Sequence, residues 1–88
     1  MYTCELRKSV EKIFFKLAKK NPNQLWIIEK KIEEIIQKPQ HYKNLRKPLQ
    51  HLKRVHIDKS FVLTFSVDEN NKKVIIEDYG HHDDIYIG

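Results

Sequence analysis

The hydrophobic pattern of this chain changes period once, near Pro39, and that change restricts the fold more than any other feature. Ahead of it, Val10, Ile13, Phe14, Leu17 and Ala18 recur at helical spacing, one apolar stripe with Ser9 placed to cap its start. Asn21-Pro22 breaks that helix and opens a second, with Asn21 as cap and Pro22 at the first helical position. Leu25, Ile28, Ile32, Ile35 and Ile36 form the second stripe, and Pro39 ends it. Two amphipathic helices joined this closely predict an antiparallel helical hairpin. A short strand over Tyr2 to Leu6 precedes it.

Residues 39–51 are mixed polar and basic and read as a loop; beyond them the apolar residues alternate. Leu52 to Ile57 places Val55 and Ile57 on one face and Arg54 and His56 on the other. Phe61, Leu63, Phe65 and Val67 mark a further strand, and Val74 to Asp78 another, with Asp68-Glu69-Asn70-Asn71 as the turn between them. A last short strand is predicted from His82 to Ile87. The order predicts an α+β domain: an N-terminal strand, an antiparallel helical hairpin packed on one sheet face, then an antiparallel sheet of about four strands.

Eighty-eight residues provide for one domain, spanning 1–88, with one modest core. No apolar run approaches the length needed to cross a bilayer, and no apolar stretch follows the first charges as a signal peptide requires, so no membrane association is expected and a cytoplasmic location is. The lone Cys4 has no partner for an internal disulfide, and without a neighbouring base it reads as a packed strand residue. Trp26 reads as hairpin packing, or as an exposed anchor for a partner.

The net charge of +5 conceals an asymmetry: residues 1–60 carry fifteen Lys/Arg against six Asp/Glu, whereas residues 61–88 carry two against six. Between Lys38 and Lys59 seven basic residues accompany a single acid, Asp58. Such an excess either recruits a polyanion through counterion release or is an ordinary solvated lysine surface, and charge alone does not separate the two.

Alternation puts Arg54 and His56 on one face, and an extended C-terminus would put His82, Asp84 and Tyr86 on one face as well. A solvated sheet face satisfies this pattern, and so does an RNA-cleaving one. Attack of a 2′-hydroxyl on the adjacent phosphate needs a base, an acid for the leaving 5′-oxygen and cations for the developing charge; His, Tyr, Arg and Lys supply all of these without a metal. His81-His82-Asp83-Asp84 invites a metal reading, but adjacent histidines in a strand diverge and the spacing lacks the regularity of zinc motifs, so no metal and no cofactor is expected. There is no Gly-rich phosphate loop and no nucleophile elbow.

The stretch Asn44-Leu45-Arg46-Lys47-Pro48-Leu49-Gln50-His51-Leu52-Lys53-Arg54-Val55-His56-Ile57 resembles the segment leading into the sheet of the RelE/ParE toxin superfamily. Asp78-Tyr79-Gly80-His81-His82-Asp83-Asp84-Ile85-Tyr86 is similar to that family's closing motif, and the element order matches over nearly the whole chain. The resemblance implies the toxin of a type II toxin-antitoxin system: a metal-independent endoribonuclease (mRNA interferase) that works on messenger RNA at the ribosome, inhibits translation and is silenced by a small acidic RelB-like antitoxin. Carried over by position, Arg54, His56, His82 and Tyr86 fall at catalytic places, and Arg46, Lys47, Lys53 and Lys59 at RNA- or phosphate-binding ones. One departure stands out. The strand Phe61-Val62-Leu63-Thr64-Phe65 has Val62 where the family commonly carries a charge-stabilising arginine. Two alternatives therefore stay open, a ParE-like gyrase inhibitor and a catalytically inactive interaction module on the same fold.

Overall fold

A computed structural model describes residues 1–85 of the chain. Strand β1 (Thr3–Leu6) leads into helix α1 (Lys8–Lys20) and helix α2 (Pro22–Gln37); a 3₁₀ turn (Pro39–His41) follows, then β2 (Lys53–Ile57), β3 (Phe61–Asp68), β4 (Lys73–His81) and a single helical turn, α3 (His82–Ile85). The four strands form one sheet in the order β1-β4-β3-β2.

The hairpin forms as the spacing predicts, and its hinge has a clear cause. The Asn21 side-chain oxygen accepts the Gln24 backbone N–H at 3.2 Å, and Pro22 occupies the first turn of α2, where its missing donor costs nothing. The start of α1 differs from expectation. Ser9 lies inside the helix, the flanking residue is Arg7, and no side chain caps the first turn. Arg7 is held from elsewhere: its N–H donates to the Ile76 carbonyl at 3.1 Å and its guanidinium to Glu77, so strand β4 fixes where the helix begins.

Val10, Phe14, Ile28 and Ile35 from the helices meet Ile57, Leu63, Phe65, Val74, Ile76 and Tyr79 from one sheet face in a single apolar core. Fully burying an aliphatic side chain of this size contributes about 1.5–3 kcal/mol, so these residues dominate the stability of the fold. Within it, the buried Gln24 amide donates to the Tyr79 hydroxyl at 2.9 Å, which pairs a polar group brought in by the hairpin with one brought in by β4. Burial raises the Tyr79 phenol, and the Gln24 bond only partly offsets this.

Three features of the sheet depart from the sequence expectations. First, β1 pairs in parallel with β4, Thr3 beside Lys73 through Leu6 beside Ile76, so the sheet is mixed, and its fourth strand is the N-terminal one. Second, the C-terminal strand expected over His82 to Ile87 is absent from the described residues: β4 runs on to His81, and His82–Ile85 is helical; Tyr86 and Ile87 lie outside the described residues. Third, the β3–β4 register shifts between Thr64 and Phe65, which face Asp78 and Ile76 and leave Glu77 as an extra residue. The segment expected to be a plain loop over 39–51 carries the 3₁₀ turn and a bridge between Asn44 and Lys53. At the β3–β4 turn the Asp68 carboxylate accepts from the Asn71 backbone at 3.1 Å and side chain at 2.8 Å, the local closure that the Asp/Asn turn signal predicts.

Candidate nucleic-acid interface

Period two works as expected in β2. Lys53, Val55 and Ile57 turn toward the helices, while Arg54 and His56 stand exposed on the opposite, helix-free face. Antiparallel partners share a face, so the register extends this pair across the sheet. Arg54 lies opposite Thr64, which lies opposite Asp78; His56 lies opposite Val62, which lies opposite Gly80. Two rows of side chains result, one ending in a carboxylate and the other in a glycine.

The second row is capped. Val62 is fully buried although it points away from the helical core. A Cβ built on Gly80 would meet the Ile85 side chain at 3.5 Å, so α3 folds back across the helix-free face beside Val62. Position 62, at the centre of this face, is therefore apolar and covered.

His82 starts this helical turn, and its N–H donates to the Ser60 carbonyl at 2.9 Å, which ties it to the β2–β3 turn at the end of the sheet where His56 also sits. The expectation that His81 and His82 diverge is corrected here. Strand geometry ends at His81, so the two imidazoles lie side by side with centroids 4.6 Å apart and with the Asp83 carboxylate within 3.5 Å of both. The shared face proposed for His82, Asp84 and Tyr86 assumed a strand, and the helical turn removes that basis; Tyr86 itself lies outside the described residues.

The basic residues also divide. Arg46 and Lys47 are exposed in the loop feeding β2, a closed excursion in which Leu45 N–H donates to Leu52 at 2.8 Å and the Asn44 amide donates to the Gln50 carbonyl at 2.7 Å. Lys59 is exposed in the turn after β2. Lys53 is different. It is 8% exposed, and its ammonium donates to the Tyr42 carbonyl at 3.0 Å and to Asn44 Oδ1 at 2.9 Å, so it braces the loop rather than facing a phosphate. What remains is a strip along β2 with Arg46 and Lys47 before it, Arg54 and His56 on it and Lys59 after it. The strand itself spans roughly 14 Å at the usual rise per residue.

Two carboxylates on this side of the sheet were missed in the sequence. Asp78 ends the Arg54 row, exposed, with one oxygen accepting its neighbour Tyr79 N–H at 2.8 Å. Glu77, the bulge residue, accepts from Arg7 at 2.9 Å and from the Ser66 hydroxyl at 2.6 Å. Burial pushes the Glu77 carboxyl up, but the Arg7 and Ser66 bonds outweigh it and hold the group below its ordinary range. The signal for both was the broken alternation of β4, where Val74 and Ile76 point inward and the next inward residue is Tyr79. Cys4 is also corrected: the residue is exposed on edge strand β1, lining a groove with Leu6, Phe14 and Leu25, where partial burial of the thiol, and then Glu5, raise it away from reactivity. Trp26 is exposed on α2 with the Lys30 ammonium 5.4 Å from its ring.

An open face with a guanidinium, an imidazole and flanking cations suits phosphodiester binding, and imidazoles near it suit proton transfer. No helix is long and apolar enough to cross a membrane among the described residues. No family model matches the chain. Its sequence is nevertheless 60% identical, over 98% of its own length and 92% of the relative's, to a Methanocaldococcus jannaschii protein named "Putative toxin RelE4". In fold it is similar to a chain of the RelBE2 toxin-antitoxin complex of Mycobacterium tuberculosis, with a TM-score of 0.75 at 20% identity over 92% of this chain and 98% of the other. It is also similar to a metal-bound toxin from Helicobacter pylori, with a TM-score of 0.77 at 21% identity over 98% and 100% of the two chains. A strand, helical hairpin and β-meander carrying Arg54 and His56 on the open sheet face, together with that identity over nearly the full chain, place this protein in the RelE family of toxins.

Proposed function

We propose that this chain is the toxin of a type II toxin-antitoxin module and acts as a metal-independent endoribonuclease, cutting messenger RNA at the ribosome and so stopping translation. The observation that carries the reading is the exposed Arg54–His56 pair on the helix-free sheet face, bracketed by Arg46 and Lys47 on one side and Lys59 on the other. RNA backbone lies along this strip. Arg54 holds the scissile phosphate and the charge that develops on it, and His56 and His82, both near the β2–β3 turn, handle the two protons of the cleavage; Tyr86 is a further candidate for that role on the resemblance alone. The bonds balance without a cofactor: the 2′-oxygen loses its proton and joins phosphorus, and the 5′-oxygen leaves and is protonated. A small acidic antitoxin is the natural silencer, since its charge opposes the basic strip; the M. tuberculosis chain is itself part of a toxin-antitoxin complex.

One observation favours the ParE-like alternative. The buried Val62 leaves the centre of the face without the family's arginine, which an RNA-cleaving site uses and a gyrase inhibitor does not need. Expression under a tight promoter, with RNA 5′-ends mapped alongside gyrase-dependent DNA breaks, separates the two. New messenger RNA ends that vanish in Arg54→Ala and His56→Ala are expected. DNA breaks without new RNA ends would replace the reading with gyrase inhibition, and growth without either would leave an interaction module. Repeating the cleavage on naked RNA and on translating ribosomes tests the ribosome requirement, with cleavage expected on ribosomes.

A further inference from the structure

We infer that His81, His82 and Asp83 form a binding site for a divalent transition-metal ion of the zinc and copper class, and that its occupancy shuts off RNA cleavage. The second part rests on the function proposed above.

The three side chains converge because β4 ends at His81 and the chain turns into a helix at His82. In a continued strand the two imidazoles would point apart; here one donor atom from each residue lies within 4.8 Å of the others. Asp83 Oδ2 stands 3.5 Å from His81 Nδ1 and Asp83 Oδ1 stands 3.4 Å from His82 Nε2. A tetrahedral ion with nitrogen and oxygen ligands at about 2.0–2.2 Å has ligand-to-ligand edges of roughly 3.3–3.6 Å. Each imidazole nitrogen already stands at that spacing from one oxygen of the exposed carboxylate, and a small turn of the carboxylate with an approach of the two nitrogens closes the shell.

The protonation pattern agrees. His81 Nδ1 accepts the Asp83 backbone N–H at 3.2 Å, so this nitrogen is unprotonated, and an ion would take over the lone pair that this long bond now uses. His82 is incompletely satisfied by protein groups, its buried Nδ1 having no hydrogen-bond partner among the described residues. Two imidazoles with one carboxylate prefer zinc, copper or nickel to magnesium or calcium, which favour all-oxygen shells. The half-exposed rings and exposed carboxylate leave further coordination positions open to water.

Coordination through Nε2 occupies the lone pair with which His82 would take a proton. It also pins α3 at its first residue, whose N–H is bonded to Ser60 in the turn after His56. A bound ion therefore silences the chemistry assigned to His82 while leaving Arg46, Lys47 and Arg54 able to hold RNA.

The test uses the full-length, tag-free protein titrated calorimetrically with Zn²⁺, and cobalt absorption spectra of the same variants. One ion per chain is expected. His81→Gln, His82→Gln and Asp83→Asn should each weaken binding at least roughly tenfold, as loss of even an outer-shell partner does. Asp84→Asn and His41→Gln should bind as the parent, and millimolar Mg²⁺ should not compete. Circular dichroism of each variant separates lost ligation from lost folding, and Asp83→Asn, being exposed, decides the matter if a histidine variant unfolds. No saturable zinc binding, or full binding by all three ligand variants, would overturn the site and leave the cleavage reading intact. RNA cleavage should fall at least tenfold with saturating Zn²⁺ and return with a chelator. Zinc binding with undiminished cleavage would keep the site, overturn the shut-off and remove His82 from the proposed chemistry.

Discussion

Lys53→Met separates a structural lysine from a phosphate-binding one. The ammonium is buried and makes two hydrogen bonds, to the Tyr42 carbonyl and Asn44 Oδ1, that hold the loop before β2 against the strand. Methionine keeps the apolar stem and removes both bonds, leaving two acceptors unpaired in a half-buried place. Hydrogen bonds to a charged group contribute about 1.5–3 kcal/mol each, and sparing the desolvation of the ammonium offsets part of the loss, so a net cost of about 2 kcal/mol is expected. For a domain of this size each kcal/mol lowers Tm by about 4–8 °C, giving a fall of roughly 8–16 °C in a circular dichroism melt. RNA binding by the folded variant, followed against salt, should keep the parental slope. Lys47→Gln, by contrast, should lose about 0.7 of a unit, the share of one phosphate contact on a single strand. If Lys53→Met melts like the parent and its salt slope drops by that amount, the ammonium meets RNA and its bracing role is refuted.

Charge reversal at Arg46 and Lys47 should weaken RNA binding and flatten its salt slope, whereas reversal at Lys19 and Lys20, at the end of α1, should change both far less; equal losses would mean that net charge alone drives binding. Gly80→Ala should fold normally and gain roughly 0.5 kcal/mol, because the new methyl meets Ile85 at an ordinary 3.5 Å and strand entropy favours alanine; a loss above about 1 kcal/mol in denaturant melts would show that α3 does not cross there as described. Stability should fall in acid. Glu77 is held below its ordinary range by Arg7 and Ser66 against the opposing effect of burial, Glu69 by the Tyr2 hydroxyl first, and Asp68 by the Asn71 side chain first. Such groups stabilise the fold above the ordinary carboxylate range, near pH 4, and that contribution is lost as pH falls through their depressed values. Melts from pH 7 to 3 should show the loss in the parent and a shallower one in Glu77→Gln.

Most of the architecture was legible because it is local. Two stripes of period 3.6 joined at Asn21-Pro22 leave little but a hairpin, and the alternation through Val55, Ile57, Phe61, Leu63 and Phe65 assigns inner and outer faces directly. The same alternation places Lys53 in phase with Val55 and Ile57; its charge argued otherwise, and the two acceptors that made its burial tolerable lie nine and eleven residues away. The parallel pairing of β1 was hidden for a related reason, since it joins residues seventy apart and leaves no periodic trace. At the C-terminus, His-His-Asp-Asp offers neither alternation nor β-branched residues, and the tertiary anchor on Ser60 decides for a helical turn. Arg54 and His56 could be located from pattern alone, whereas the neighbours of His82 could not.

The placement of β1 at the sheet edge beside β4 has a consequence for synthesis. Strand β1 is zipped to β4, with Thr3 N–H donating to the Lys72 carbonyl at its start, so its hydrogen-bonding partner is made seventy residues after it. Helical hairpin and β2–β3 hairpin close early, at small loop-entropy cost, but Thr3–Leu6 waits for a contact of very high sequence separation. While β4 is still inside the exit tunnel, the core lacks Val74, Ile76 and Tyr79, and Arg7 has no Glu77 to anchor the start of α1. Thr3–Leu6 therefore stays an unpaired edge until β4 emerges, and the sheet closes in one late step rather than strand by strand.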